Sequence, residues 1–214
     1  MKKPLLALAL AAGGTLAVTS ISAQEQPQIP GVADVSRVTA GTYALDPSHT
    51  LVQWSVSHFG FNDYFGLFGD IEGTMTLDPA NIAATEFDIT IPITSVAVPS
   101  EGLRDHLLRA GKDGQPADFF GPEPEDAHFV STSVRQTSDT TAVVTGQLTM
   151  NGNTGPVTMA VQFNGAGQNP MSEVQTVGFH GRATIDRTQW GINYGTPMVA
   201  SNVDLDISAA FELQ

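Results

Sequence analysis

The sequence predicts an all-β domain, an antiparallel barrel of about eight strands with one short helix. Apolar and polar residues alternate strictly in several separate runs, which is typical of strands with one buried and one solvent-exposed face. Glycines recur inside these runs, and glycine relieves the sharp bends of a closing sheet. Alternation alone also fits a two-sheet sandwich, and the glycines favour the barrel.

The composition excludes several classes of function. The chain of 214 residues contains no cysteine, so it has no disulfides, thiolate metal sites or cysteine nucleophile. Its net charge is −13, which argues against nucleic acid as a partner because affinity for phosphates comes from Lys and Arg. Hydrophobic residues make up 41% of the chain and charged residues only 14%, as expected of a folded domain rather than a disordered acidic tail.

The N-terminal residues 1–23 are typical of a secretory signal peptide. Two lysines open the chain, and the apolar run Leu5–Val18 is shorter than the ~20 residues of a membrane-spanning helix. We expect cleavage near Ala23 and a mature protein in the periplasm with no integral membrane segment; an uncleaved anchor is the alternative. Residues 24–41 lack sustained periodicity and are expected to form a flexible leader.

Eight segments, five of them with clear alternation, predict the strands, and the last of them is the clearest. They are Leu51–His58, Leu67–Leu77, Phe87–Ile93, His128–Val134, Thr141–Met150, Val157–Phe163, Val177–Ile185 and Val203–Leu213. Asn151-Gly152 is a strong hairpin signal, although Val157 predicts a connection longer than a minimal turn.

One helix is predicted between these strands. Ser100 is a good N-cap, Glu101 suits the positive end of the helix, and Gly111 supplies the stop. The residues that share one helix face are Leu103, His106, Leu107 and Ala110.

The phase of the alternation predicts which side chains form the barrel wall. An eight-stranded barrel has room for packed side chains or for one slender ligand. The wall candidates are Trp54, Val56, Phe65, Phe68, Leu148 and Met150, and the candidates for a lid or rim are Leu107, Phe119, Phe120, Trp190 and Tyr194. Plain core packing is the alternative for any one aromatic residue, so the hypothesis depends on the whole set.

The chain also resembles the YceI-like family in short fragments that follow the family's order. The fragments are Tyr43–His49, Val56–Gly60, Gly66–Gly69, Leu103–Leu107, Asp118–Phe120, Phe129–Ser131, Gly146–Gly152, Arg187 and Trp190–Ile192. The resemblance extends from Thr42 to Leu213, and the predicted domain covers residues 42–214. It implies a lipocalin-like barrel, exported to the periplasm, that holds a long isoprenoid lipid or similar amphiphile such as a quinone or its precursor.

The same resemblance makes a homodimer through edge strands plausible and implies no cofactor other than the bound lipid. It also indicates where this chain departs from the family. The stretch Gly111–Glu125 is longer and richer in proline than usual, and we expect it near the barrel mouth.

Two polar residues have alternative interpretations. His58 shares the phase of Trp54 and Val56, so it either points inward toward a ligand headgroup or is satisfied by the backbone. Arg187 either receives an anionic or quinone headgroup or pairs with a carboxylate, and pairing is favoured. The five histidines lack the short spacing of a metal site, so neither a metal nor a catalytic residue is predicted.

Binding or storage of the lipid is the leading hypothesis for function. Ten CH₂ groups that leave water contribute on the order of 8 kcal/mol before ordering costs. An enzyme acting on a prenyl lipid is one alternative, although no Gly-x-Ser-x-Gly motif is present. A barrel with a filled core, serving as an interaction module, is another.

Overall fold

The computed structural model describes residues 28–214, so the predicted signal peptide lies outside the described residues. Of the predicted leader, Val32 pairs with Ala166 at the edge of the sheet, and Asp34 caps a short 3₁₀ turn at Val35–Arg37. None of the helices within residues 28–214 has the length and apolar character needed to cross a membrane.

The described chain forms ten strands and one α-helix. The strands are β1 Gly41–Leu45, β2 Leu51–His58, β3 Asn62–Phe68, β4 Glu72–Leu77, β5 Glu86–Ile91, β6 Ala127–Ser138, β7 Thr141–Met150, β8 Asn153–Gln168, β9 Gln175–Asp186 and β10 Val199–Leu213. The helix α1, Glu101–Leu108, lies between β5 and β6 and begins at the predicted cap, where the Ser100 hydroxyl accepts a hydrogen bond from the Leu103 amide. Further 3₁₀ turns are Ile82–Ala84, Ile93–Ser95, Lys112–Gly114 and Arg187–Trp190.

Eight of the strands close into a ring. Their order is β1-β4-β5-β6-β7-β8-β9-β10, all pairs are antiparallel, and β1 pairs back onto β10. Tyr43 of β1 therefore lies opposite Met75 of β4 on one side and Leu213 of β10 on the other. The prediction of an antiparallel barrel of about eight strands with one short helix is confirmed.

The β2–β3 hairpin extends the wall at one end of the ring. Only the last part of β10 pairs with β1, while its earlier residues from Val199 to Ser208 pair with β2. The far edge of β3 is attached by one pair, in which Leu67 and Ala97 exchange two backbone hydrogen bonds of 2.9 Å. This end of the barrel is therefore completed by the hairpin and by the segment that contains α1.

Two local features differ from the sequence prediction. The predicted strand Leu67–Leu77 is two strands, because the chain bends at Asp70, whose φ is 51°. The predicted long connection after Met150 is a two-residue turn, in which Asn151 and Gly152 have φ of 51° and 72° and β8 begins at once. Positive φ at both positions matches the right-handed twist of a hairpin.

Two strand glycines make room for aromatic rings of neighbouring strands. A Cβ atom at Gly66 would lie 2.2 Å from the ring of Trp54, and one at Gly146 would lie 2.4 Å from the ring of Phe129. These rings therefore lie over glycine backbone, which leaves more of the interior free than rings that project straight inward.

The opposite end of the barrel is closed by a packed core. Its buried residues include Tyr43, Met75 and Val177. A chain of aromatic contacts links the rings of Phe163, Phe179, Phe211 and Phe87, with centroid separations of 5.8, 6.1 and 6.1 Å. The barrel thus has a closed end and an open end, and the open end carries α1 and the β2–β3 turn.

Candidate ligand-binding cavity

The barrel interior contains a cavity of about 540 Å³ that opens at the end covered by α1. This volume falls within the range of roughly 300–1,000 Å³ that is usual for small-molecule sites. Buried residues toward the α1 end, among them Ile93, Phe129 and Leu148, therefore line a cavity instead of filling the barrel.

Alternating residues of the strands form the deep wall of the cavity. From β10 these are Val203, Leu205, Ile207, Ala209 and Phe211. Successive side chains of a strand point to opposite faces, so the aliphatic and aromatic phase of each strand faces inward and the polar phase faces solvent. The deep wall is almost entirely hydrocarbon, and it can bind a ligand only through apolar contact.

Ten of the twelve sequence-predicted site residues line this cavity. They are Trp54, Val56, His58, Phe68, Leu107, Phe119, Phe120, Leu148, Met150 and Tyr194. Phe119 and Phe120 come from the long stretch after α1, which lies at the open end as expected. Their role as ligand contacts stays a prediction.

Phe65 is not a wall residue. The register of β2 and β3 pairs Val56 with Tyr64, so Tyr64 faces the cavity and its neighbour Phe65 faces outward. The Phe65 side chain is 51% exposed. The prediction failed because Phe65 and Phe68 are three residues apart and cannot share a face of one strand.

Trp190 does not line the cavity either. It is buried, at 1% exposure, and its indole Nε1 donates a hydrogen bond of 2.9 Å to the carbonyl oxygen of Leu148. Its ring packs against Gly155 of β8. Trp190 therefore joins the turn after β9 to the β7–β8 hairpin instead of forming part of a lid.

Sequence reasoning omitted several wall residues from its list of site candidates. These include Tyr64, Phe87, Ile89, Ile91, Phe129, Val144, Phe179, Val203, Leu205 and Ile207. Most lie in the apolar phase of strands that the alternation had identified. They would have been found if the inward-facing positions had been assigned along the whole length of each strand.

Polar groups gather at the mouth of the cavity. His106 of α1 lines the mouth, and its Nε2 lies 2.7 Å from Asp118 Oδ2. Arg109 donates to the same carboxylate oxygen over 3.2 Å. The hydrogen bond from His106, followed by that from Arg109, lowers the pKa of Asp118. These contacts fasten α1 to the segment that carries Phe119.

Aromatic contacts complete the lid. The ring of His106 meets the rings of Phe119 and Tyr194 nearly edge-on, with centroid separations of 5.1 and 4.8 Å. Tyr194 belongs to the loop before β10, so these contacts join three segments around the opening. The arrangement forms a partial cover with polar atoms at its edge.

Arg187 organises the loop that carries Tyr194. Its buried guanidinium donates hydrogen bonds of 2.9–3.0 Å to the carbonyl oxygens of Ile192, Tyr194, Val199 and Ala200. The expected pairing with a carboxylate is therefore wrong, because four backbone carbonyls occupy the donors. Burial lowers the pKa of Arg187.

His58 lies at the rim, at the end of β2, and its ring meets Phe59 edge-on at 4.3 Å. Within the described chain its imidazole has no hydrogen-bond partner, so the backbone-satisfied alternative is not seen. The other four histidines, His49, His106, His128 and His180, are each hydrogen-bonded to an aspartate. No three His, Asp or Glu residues between 28 and 214 lie close enough together to hold a metal ion.

A closed antiparallel barrel around one apolar cavity, with most of its polar groups at the open end, defines a small-molecule-binding barrel of the lipocalin type. The family model described as the YceI-like domain matches residues 43–211. The chain therefore belongs to the YceI-like family, and the resemblance seen in its sequence fragments is confirmed.

Curated relatives match most of the chain, and solved structures share its fold. A UPF0312 protein of Pseudomonas putida strain KT2440 is 36% identical over 172 residues, which covers 79% of this chain and 85% of the relative. The fold of Burkholderia cenocepacia BcnA matches with a TM-score of 0.62 at 23% identity, over 78% of this chain and 98% of that one. A polyisoprenoid-binding domain from Saccharophagus degradans matches with a TM-score of 0.55 at 12% identity, over 82% of this chain and all of that one.

Proposed function

We propose that this protein binds an isoprenoid lipid, or a similar amphiphile with a long apolar chain, inside the barrel and carries or stores it. The observation that carries the proposal is the continuous apolar cavity of about 540 Å³, closed at one end and open at the other. Such a shape suits a slender hydrocarbon chain with a polar group at one terminus.

The hydrocarbon wall can supply the affinity. Each buried CH₂ group contributes about 0.8 kcal/mol, so about ten of them offset the cost of ordering the chain and bring micromolar binding within reach. No charged contact is needed in the deep cavity. A headgroup would remain at the mouth, close to His58, His106 and Tyr194.

The family context supports the same ligand class. The Saccharophagus degradans domain is named as a polyisoprenoid-binding domain, and we extend that chemistry to this chain because its cavity is apolar and a packed core closes the opposite end of the barrel. The predicted signal peptide of residues 1–23 supports a periplasmic site of action. We infer binding without turnover, because the deep wall that the described strands form is almost entirely hydrocarbon and places no general acid or base beside a bound chain.

Extraction of the purified protein with organic solvent, followed by mass spectrometry, tests the proposal. We expect a co-purifying lipid, and we expect the delipidated protein to take up added geranylgeraniol, a prenyl alcohol. An empty barrel that takes up no prenyl alcohol would contradict the proposal.

Two glycines of β9 provide matched variants for this experiment. Gly181 lines the cavity, whereas Gly178 lies in the opposite phase of the strand. Gly181→Leu should fill part of the cavity and weaken uptake at least tenfold, because it removes space for two or three CH₂ groups of about 0.8 kcal/mol each. Gly178→Leu should leave uptake unchanged.

A further inference from the structure

Large apolar side chains stand in solvent around the open end of the barrel. Phe61 is 89% exposed, Met198 60%, and Phe59 and Tyr194 48% each. We call these four residues the apolar rim. Phe59 and Phe61 flank the β2–β3 turn, and Tyr194 and Met198 belong to the loop before β10. Exposed phenylalanine and methionine contribute nothing to the core, so their grouping here calls for a functional explanation.

The two parts of the apolar rim are joined to each other and to the cavity. The Phe59 amide donates a hydrogen bond of 2.7 Å to the Met198 carbonyl. The neighbouring pair, His58 of β2 and Val199 of β10, lines the cavity, as does Tyr194. The exposed apolar surface is therefore continuous with the cavity mouth.

The backbone holds the rim outward even though this is unfavourable for one of its residues. Phe59 and Gly60 both have positive φ, 55° and 70°. Asn or Gly adopts this region with less strain than an aromatic residue. The hairpin turn by itself does not require phenylalanine at this position, whereas a role in contacting an apolar surface explains it.

The segments that carry the apolar rim contain no acidic residue. The chain has 22 acidic and 9 basic residues, yet residues 56–62 and 187–203 contain no Asp or Glu. The turns at the closed end do contain them, for example Asp78, Asp139 and Glu173. The two segments that carry the rim therefore contain no carboxylate, whereas the stretch from α1 to β6 on the helix side of the mouth contains seven acidic residues.

We propose that the apolar rim docks on the surface of a phospholipid bilayer, with its side chains inserted at the boundary between headgroups and acyl chains. This inference rests on the proposed function, because a membrane-resident lipid can enter the cavity without crossing water only if the mouth faces the bilayer. Exposed phenylalanine side chains that bury at the boundary between headgroups and acyl chains are a feature of interfacial binding. A bilayer is favoured over a protein partner because the rim borders the opening, and a protein seated there would obstruct it.

The helix side of the mouth sets the expected lipid preference. Residues 101–126 on this side contain three basic and seven acidic residues, so its net charge is negative. Anionic lipids therefore gain nothing over zwitterionic ones. Binding should depend on apolar insertion and should be nearly insensitive to salt.

Co-sedimentation with sucrose-loaded phosphatidylcholine vesicles tests the proposal. The wild type should sediment with the vesicles at low and at high salt, and no better with phosphatidylglycerol. The double variant Phe61→Gln/Met198→Gln should partition at least tenfold more weakly, because each large apolar side chain contributes about 1.5–3 kcal/mol when it leaves water completely. Neither residue lines the cavity.

Met171→Gln is the matched control. Met171 is 91% exposed but lies in the β8–β9 turn at the closed end, and its substitution should leave vesicle binding unchanged. Failure of the wild type to sediment, or equal loss in the control, would overturn the proposal. So would self-association that is lost in the double variant without any vesicle binding, since the rim would then be an interface between copies.

A second measurement separates this proposal from the proposed function. The double variant should take up geranylgeraniol added from ethanol as well as the wild type does, but should extract it from vesicles at least tenfold more slowly. If the wild type takes up the alcohol from neither source, the proposed function fails, while sedimentation still decides whether the rim docks. Equal extraction rates for the two proteins would overturn the docking proposal.

Discussion

Trp54 and Gly66 face each other across β2 and β3, and the indole of Trp54 occupies the space that a side chain at Gly66 would need. The Trp54 Nε1 atom is buried without a hydrogen-bond partner in the described structure. A buried unpaired donor is unfavourable. Its position is therefore maintained by packing, and the glycine is what makes that packing possible.

Gly66→Ala should displace the Trp54 ring toward the cavity. We expect a loss of roughly 1–3 kcal/mol of stability from overpacking, together with weaker uptake of geranylgeraniol. Urea unfolding and the tryptophan emission spectrum measure the two effects. Gly69→Ala is the control, because its Cβ would be 3.6 Å from the nearest atom, Leu51 Cδ2, which is an ordinary contact.

The two tryptophans should respond oppositely to substitution by phenylalanine. Trp190→Phe leaves the Leu148 carbonyl without its donor and should cost roughly 1–3 kcal/mol of stability while lipid uptake is unchanged. Trp54→Phe removes an unpaired donor and should cost less stability, but it alters the cavity wall and should change uptake. Identical behaviour of the two variants in unfolding and uptake assays would contradict these assignments.

Arg187→Lys should loosen the loop before β10 although the charge is kept. A lysine cannot reach four carbonyl oxygens in the fixed geometry of a guanidinium, so we expect a loss of roughly 2–4 kcal/mol in urea unfolding. Arg182→Lys serves as the control. Arg182 is exposed and pairs with Asp206 at 3.1 Å, a kind of contact that contributes at most about 1 kcal/mol.

Acid should release α1 from the segment that carries Phe119. The pKa of Asp118 is lowered in the folded protein, so its contribution to stability is fully present above the ordinary carboxyl pKa of 3.8 and is lost as the pH falls through the lowered value. The protection factors of the α1 amides against hydrogen exchange should therefore fall when the pH drops below that ordinary value. Asp118→Asn should abolish this acid dependence.

The matched substitution for that experiment is Asp88→Asn, which breaks the Asp88–His128 pair on the outer face of the sheet. It should leave the exchange of the α1 amides unchanged at every pH. Loss of the acid dependence in this variant as well would assign the effect to a general change in stability.

The predicted segments match the bounds of β2 and β7. The longest strands, β8 and β10, begin four residues before their predicted segments, because those four residues show no alternation of apolar and polar side chains. The strand β1 was missed because five residues are too few to display alternation. The bend at Asp70 was missed because the alternation continues in phase through it.

The residues that line the cavity were easier to predict from the sequence than the contacts that hold the surrounding loops in place. A wall residue shows its role through strand phase, which is local information. The partners of Arg187 and Trp190 depend on how distant segments pack, and nothing in the neighbouring sequence distinguishes a guanidinium held by carbonyl groups from one held by a carboxylate. Phe65 shows the corresponding error within one strand, where hydrophobicity was given more weight than phase.

The ring closes between the first strand of the domain and the last, where Tyr43 meets Leu213. During synthesis β1 can therefore pair with β10 only after nearly the entire chain has been made. A chain that ends before β10 leaves the barrel open, and its apolar interior is then exposed to solvent. Contacts so distant along the chain make for slow folding. A nascent molecule of this kind remains vulnerable to aggregation until its final residues arrive.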